Sequence, residues 1–180
     1  KVSAAFPGLV DSATIIGGIQ IQSRAGLGGN LCNASPSGDG ICSLIVHNTT
    51  CVIAGPNGTR EVASEDFCTG PGQSVIGDGE FLVEMKMPTP QKGFGAAYQR
   101  FTPRNEMDIA VAGVASSVQL DGDTIMSARV ALSAVGPTPI LSSAGDSLAG
   151  KEATAENISV AAQIASGNAS PISDMRGTAE

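Results

Sequence analysis

The stretch Ala110–Leu132, "AVAGVASSVQLDGDTIMSARVAL", restricts the fold more than any other part of this chain. Two long apolar runs rich in β-branched residues flank an Asp-Gly pair at 121–122. Asp-Gly tolerates the positive φ values of a two-residue hairpin loop, so Ala110–Leu120 and Thr124–Leu132 are expected to pair as antiparallel strands. Nothing between them is long enough to cross over into a parallel arrangement. A second strand–turn–strand signal runs from Cys51–Ala54 through Pro56-Asn57-Gly58 to Arg60–Val62. "EFLVEMKMP" then alternates as a half-buried strand, with Phe81, Val83, Met85 and Met87 on one face and Pro88 ending it.

The remaining segments read as helix or link. "ICSLIV", from Ile41, is a continuous apolar run that suits a short buried helix or strand equally. Ser64–Phe67 offers a cap or turn, and Thr69–Phe81 reads as a glycine-rich loop. Pro139 can occupy a first helical turn that Gly150 closes. Glu152–Ser166 carries Ile158, Ala162 and Ala165 at helical spacing and ends near Gly167. The Pro/Gly-rich "TPQKGFGAA", Thr89–Ala97, is the expected boundary between a first part, 1–92, and a second, 93–180. The fold class is therefore α+β, built on antiparallel sheets.

Several function classes fall away on composition. The 180 residues carry 10 Lys and Arg against 17 Asp and Glu, a net charge of −7, so the chain lacks the clustered cations a nucleic-acid surface needs. No run of 18 apolar residues predicts a membrane span, and a cytoplasmic location is expected. Cys32, Cys42, Cys51 and Cys68 include no CxxC pair, so neither a metal site nor a disulfide framework is expected. Asn33, Asn48, Asn57, Asn157 and Asn168 each open an Asn-x-Ser/Thr triplet, read as turn chemistry. The single histidine, His47, is expected on a turn or at the surface, and no catalytic side-chain set is predicted. The first residues, "KVSAAFPGLVDSA", read as the continuation of something longer, so the chain is expected to be a fragment or a processed piece.

The chemical signal lies in "RAGLGGNLCNASPSGD", Arg24–Asp39. Gly26, Gly28 and Gly29 can take backbone conformations closed to other residues and let successive amides converge on one anion. Asn30 and Asn33 add side-chain amides, and Asp39 could accept from a ribose or an adenine amine. The spacing is not that of the GxGxxG dinucleotide fingerprint. Taken by itself the segment is either a phosphate loop or a tight turn between packed elements.

In its flanks the segment resembles a known family. "IQSRAGLGGNLCNASPSGD" is similar to the IRNRATLGGNLxxASPxxD segment of the flavoprotein subunits of the xanthine dehydrogenase and carbon monoxide dehydrogenase family, the molybdenum hydroxylases. "FPGL" resembles its YPAL, "DFCTGPG" and "GEFLVEMKMP" its dFftGpg loop and following strand, and "MDIAVAGVA" and "SPISDMRGTAE" its C-terminal domain. The resemblance implies a second FAD-binding subdomain, mostly antiparallel sheet with helices, followed by a carbon monoxide dehydrogenase flavoprotein C-terminal-like domain. It implies FAD as cofactor, with Gly26, Leu27, Gly28, Gly29 and Asn30 at the pyrophosphate, Asn33 close by and Asp39 on the ribose–adenine side. Leu82 and Val83 match apolar residues near the flavin ring, and Arg100 a basic one. Molybdopterin and 2Fe-2S clusters are expected on a large and a small partner subunit, with FAD passing electrons to an acceptor. The chain departs from the pattern in three places: Gly26 stands for a Thr or Ser, Gln22 for an Arg, and Gly38 for a small polar or alanine residue. The subdomain that would carry the other glycine-rich loop is expected to be missing from this piece. A flavin-free scaffold that docks partner subunits is the alternative these departures imply.

Overall fold

A computed structural model describes residues 2–105 and 107–179. Short helices come first: α1 (Val2–Ala5), α2 (Pro7–Thr14), α3 (Ile19–Gln22), α4 (Leu27–Cys32) and α5 (Asp39–Val46). They lead into β1 (Thr50–Gly55), β2 (Gly58–Ala63), β3 (Cys68–Gly70), β4 (Gln73–Ser74) and β5 (Phe81–Lys86). The second half holds β6 (Phe94–Phe101), β7 (Ala112–Asp121), β8 (Thr124–Ser133), β9 (Ile140–Ser142) and α6 (Ala155–Asn168). The sheets are antiparallel, ordered β2-β1-β5, β3-β4 and β6-β7-β8-β9. This is the α+β class expected.

The central hairpin forms as expected, with Asp121 opposite Thr124. Its loop is Gly122-Asp123, and the positive φ falls on Gly122, at +58°. The ambiguous run at Ile41 is a helix, α5, and every residue of it is buried. Ile and Val cost a helix at most about 0.7 kcal/mol each in propensity. Burying each returns about 1.5–3 kcal/mol, so packing decides. A Schellman motif stops the helix: Thr49 N donates to Leu44 O at 3.1 Å and Asn48 N to Ile45 O at 3.0 Å, with Asn48 at φ +54°.

The core gathers around α5. Leu31, Ile41, Leu44, Ile45, Cys51, Ile53 and Phe67 are fully buried in one cluster with Leu9 from α2 and Tyr98, Ala115 and Ala131 from the four-stranded sheet. That cluster crosses residue 92 without a break. The sheet also fastens α5 at its C-terminal end, where Ser117 Oγ donates to Val46 O at 2.8 Å and Arg129 Nε to Ile45 O at 3.0 Å. Arg129 continues to the Glu65 carboxylate, at 2.5 Å, and so satisfies acceptors from two segments.

Five local expectations are corrected or refined. The β5 strand slips register between Val52 and Ile53 of β1, so that Ile53 pairs with Leu82 and Val52 with Glu84. This bulge leaves Val83 out of the alternation. Leu82, Met85 and Met87 therefore pack on the core, while Phe81 and Val83 are exposed. Pro139 begins no helix; β9 follows it and pairs Ile140 with Leu132, and only a 3-10 turn, Asp146–Leu148, precedes Gly150. The buried side of α6 is Ala161, Ile164 and Ala165, because Ile158 is exposed. His47 lies in the turn but is buried, edge-on to Phe6 and tilted to Phe94, and burial lowers its pKa. Of the sequon asparagines, Asn157 and Asn168 are helical residues rather than turn residues.

Candidate functional site

The glycine-rich segment folds as the start of α4 rather than as an irregular loop. Gly26 caps it in extended conformation, φ −117° and ψ 142°, and none of Gly26, Gly28 or Gly29 has a positive φ. The expectation that these glycines adopt conformations closed to other residues is therefore corrected. What they share is bareness. A Cβ at Gly26 or Gly29 would meet no atom within 4 Å, and one at Gly28 would touch Leu82 Cδ2 at 3.6 Å. Among the described residues, no backbone carbonyl accepts the amides of Leu27, Gly28 and Gly29, the first-turn donors that an α-helix leaves unfilled. The outer surface of the segment is backbone with free N–H groups and no side chain to shield it.

This surface is braced from behind. Gly40 N donates to Asn30 Oδ1 at 3.1 Å, tying α4 to the first turn of α5. A Cβ at Gly40 would stand 2.7 Å from Leu27 Cδ1 and 2.8 Å from Asn30 Oδ1, so only glycine permits this approach. Asp39, one residue earlier, is buried. Its Oδ1 accepts from Tyr98 Oη at 2.7 Å and its Oδ2 from Arg100 Nη1 at 2.8 Å. Burial raises the Asp39 pKa, while the Tyr98 hydrogen bond and the Arg100 charge act the other way. The same burial, with the Asp39 charge beside it, pushes the Tyr98 phenol up.

Six of the residues singled out in the sequence are thus gathered: Leu27, Gly28, Asn30, Asp39, Leu82 and Arg100 meet where α4, α5, β5 and β6 converge. Gly26 and Gly29 line the open side. Asn33 is exposed at the far end of α4, and Val83 is on the opposite face of β5 from Leu82. Sequence reasoning missed Tyr98, Gly40 and Gly113. A signal for Tyr98 existed, because residues two apart on a strand share a face and Arg100 had already been noted. Two hollows lie elsewhere, one of about 400 Å³ beside His47 and Phe94, one of about 600 Å³ between residues 170–178 and Pro36, Pro71 and Val111. Among the described residues no group of three or more His, Cys, Asp or Glu could hold a metal ion. No helix is long and apolar enough to cross a membrane, again among the described residues.

Short helices carrying a bare glycine surface, packed with antiparallel sheets, define an α+β chain, and comparison with known proteins specifies the kind. Residues 1–90 match the FAD binding domain in molybdopterin dehydrogenase, and residues 96–180 match the CO dehydrogenase flavoprotein C-terminal domain. The chain belongs to this family of FAD-binding flavoprotein subunits. It is 33% identical to the carbon monoxide dehydrogenase medium chain of Hydrogenophaga pseudoflava over 180 residues, 99% of this chain and 62% of that one. It is 35% identical to the putative xanthine dehydrogenase FAD-binding subunit of Escherichia coli over 136 residues, 75% of this chain and 47% of that one. The chain thus spans less than two-thirds of the length of these relatives. Among solved structures, carbon monoxide dehydrogenase from Hydrogenophaga pseudoflava, in a form lacking the Mo-pyranopterin moiety of its molybdenum cofactor, superposes with a TM-score of 0.94 at 32% identity. That match covers 99% of this chain and 62% of the other. Quinoline 2-oxidoreductase from Pseudomonas putida superposes at 0.87, with 26% identity, over 98% and 61%.

Proposed function

We propose that these residues form part of the electron-transfer subunit of a molybdenum hydroxylase, relaying electrons from iron–sulfur clusters through FAD to an acceptor. The observation that carries the reading is the surface of α4. Gly26 and Gly29 face open space, and three adjacent amides have no backbone acceptor. Oriented N–H groups with no shielding side chain suit the oxygens of a pyrophosphate. In this reading Leu27, Gly28 and Gly29 hold the pyrophosphate through their amides, with Gly26 leaving room and Asn30 and Asn33 alongside. Asp39 serves the ribose–adenine side; a carboxylate has about four acceptor sites, and Tyr98 and Arg100 use two. Leu82 serves the flavin side, with Val83 on the other face of β5 and Arg100 reaching back to Asp39. Bound FAD supplies the redox chemistry, and this chain's residues bind and orient it. Residues 1–92 act as the second FAD-binding subdomain and 93–180 as the C-terminal domain. The partners are a molybdopterin-binding large subunit and a small subunit carrying 2Fe-2S clusters, in the cytoplasm.

A second reading is a flavin-free scaffold that keeps the fold and docks the same partners. Two observations favour it: Gly26 offers no hydroxyl to a phosphate oxygen, and both oxygens of Asp39 already have internal donors. Purifying the full-length polypeptide with added FAD separates the two. Retained flavin absorbance in the visible, lost in a Gly29→Val variant of equal thermal stability, supports the electron-transfer reading. A colourless polypeptide that still binds its neighbours supports the scaffold.

A further inference from the structure

The residue that holds Asp39 from within the core has no part in the reading above. Tyr98 is 5% exposed, and its hydroxyl is spent on the donation to Asp39 Oδ1 at 2.7 Å. The strand next to it makes room for that hydroxyl. Gly113 of β7 pairs with Arg100 of β6, and a Cβ at Gly113 would lie 2.6 Å from Tyr98 Oη and 2.4 Å from Ser133 Oγ. A larger residue at 113 crowds both the Ser133 hydroxyl and the phenol, so the space beneath Asp39 depends on this glycine. Arg100, two residues along β6, takes the other carboxylate oxygen. The carboxylate is therefore held between two donors from the four-stranded sheet. It stands at the first residue of α5, next to the Gly40 amide that fixes Asn30 of α4.

We propose that Tyr98 is a positioning residue of the cofactor site: its hydroxyl, seated over Gly113, fixes the Asp39 carboxylate in the orientation that receives the ribose–adenine half of FAD. The sheet of residues 93–180 thereby contributes to cofactor affinity through a residue that does not touch the cofactor. A carboxylate held by two donors keeps its remaining lone pairs aimed in one direction. Held by Arg100 alone it can rotate about its own bond, and a ligand hydroxyl then meets it less often in the right geometry. The inference rests on Asp39 serving the cofactor, as proposed above.

The test is a double-mutant cycle on FAD affinity in the full-length polypeptide, measured by quenching of flavin fluorescence. Tyr98→Phe keeps the ring in the core and removes only the donor. It should weaken FAD binding by about tenfold, the scale of one hydrogen bond to a charged group. Asp39→Asn keeps the shape of the acceptor and should weaken binding at least as much. If Tyr98 acts through Asp39, the double variant binds FAD no worse than Asp39→Asn alone. Effects that multiply, or a Tyr98→Phe variant that binds FAD as the unaltered polypeptide does, overturn the positioning role while leaving the site reading intact. An Asp39→Asn variant that binds FAD normally removes Asp39 from the site, and the proposal with it. Should Tyr98→Phe fail to accumulate, Gly113→Ala crowds the same hydroxyl from the neighbouring strand and completes the cycle in its place.

Discussion

Helices α4 and α5 are neighbours in sequence and are built to opposite ends. Every residue of α5 is buried, and its two ends are fastened to the four-stranded sheet by Asp39 and by Ser117 and Arg129. In α4 only Leu31 is fully buried, and its glycines present bare backbone outward. One helix is an anchor with little accessible surface beyond Asp39, the other a surface with little anchorage of its own. The Gly40–Asn30 hydrogen bond joins them. A binding surface made of backbone cannot be held by its own side chains, so the adjoining helix must supply the rigidity.

Perturbing the anchor should give the largest effects. Asp39→Ala leaves the Arg100 guanidinium buried without its partner, and unfolding by denaturant should report a loss of about 3–5 kcal/mol. Leu44→Ala empties a fully buried site in the middle of α5 and should cost about 2–5 kcal/mol, read as a fall in melting temperature. Comparable losses from substitutions on the outer face of α4 would erase the distinction between the helices. The contrast is sharpest at Gly29, where an alanine would meet no atom and the φ is not positive. Gly29→Ala should raise stability by about 0.5–1 kcal/mol while weakening FAD binding, so that melting temperature and cofactor affinity move in opposite directions. A variant that gains stability and keeps its affinity would mean the bare surface serves no ligand.

The smallest expected effects are on pH dependence. Burial holds the folded pKa of Asp39 above its ordinary 3.8, so the folded state keeps this proton more tightly than the unfolded chain does. Stability from this group is present below pH 3.8 and declines as pH rises through the raised folded value. The unaltered chain should show that downward slope and Asp39→Asn should not, in denaturation at a series of pH values. Half-buried Glu80 runs the other way: hydrogen bonds from Arg60 and the Gly77 amide hold it down to about 2. Its contribution is complete above the ordinary 4.5 and is lost as pH falls through about 2. Carbon-detected NMR of the carboxyl resonance should follow the titration, and Arg60→Ala should shift its midpoint up.

The sequence was most readable where a local rule and the tertiary fold agree. The β7–β8 hairpin follows from two apolar runs and one glycine. The α5 run is open between helix and strand because burial on all sides leaves no periodicity to read; packing decides it, and Asn48 in left-handed conformation sets only where the helix ends. The alternation of β5 breaks at Val83, because a bulge obeys its partner strand rather than its own sequence. At the site, the glycines were visible but their conformation was misjudged: a short glycine-rich segment does not say whether it exists for unusual φ or for open space. Tyr98 and Gly113 could not be found from spacing to Asp39, since 59 residues separate Asp39 from Tyr98 and only the sheet brings them together.

Tyr98 has a consequence for measurement as well. These 180 residues contain one tyrosine and no tryptophan. Ultraviolet emission from this stretch therefore comes from a single phenol, hydrogen-bonded to the carboxylate at the first turn of α5. Such a bond quenches tyrosine light, so any event that loosens Asp39 should brighten it. The fold carries its own reporter dye at the joint between the sheet and the anchoring helix.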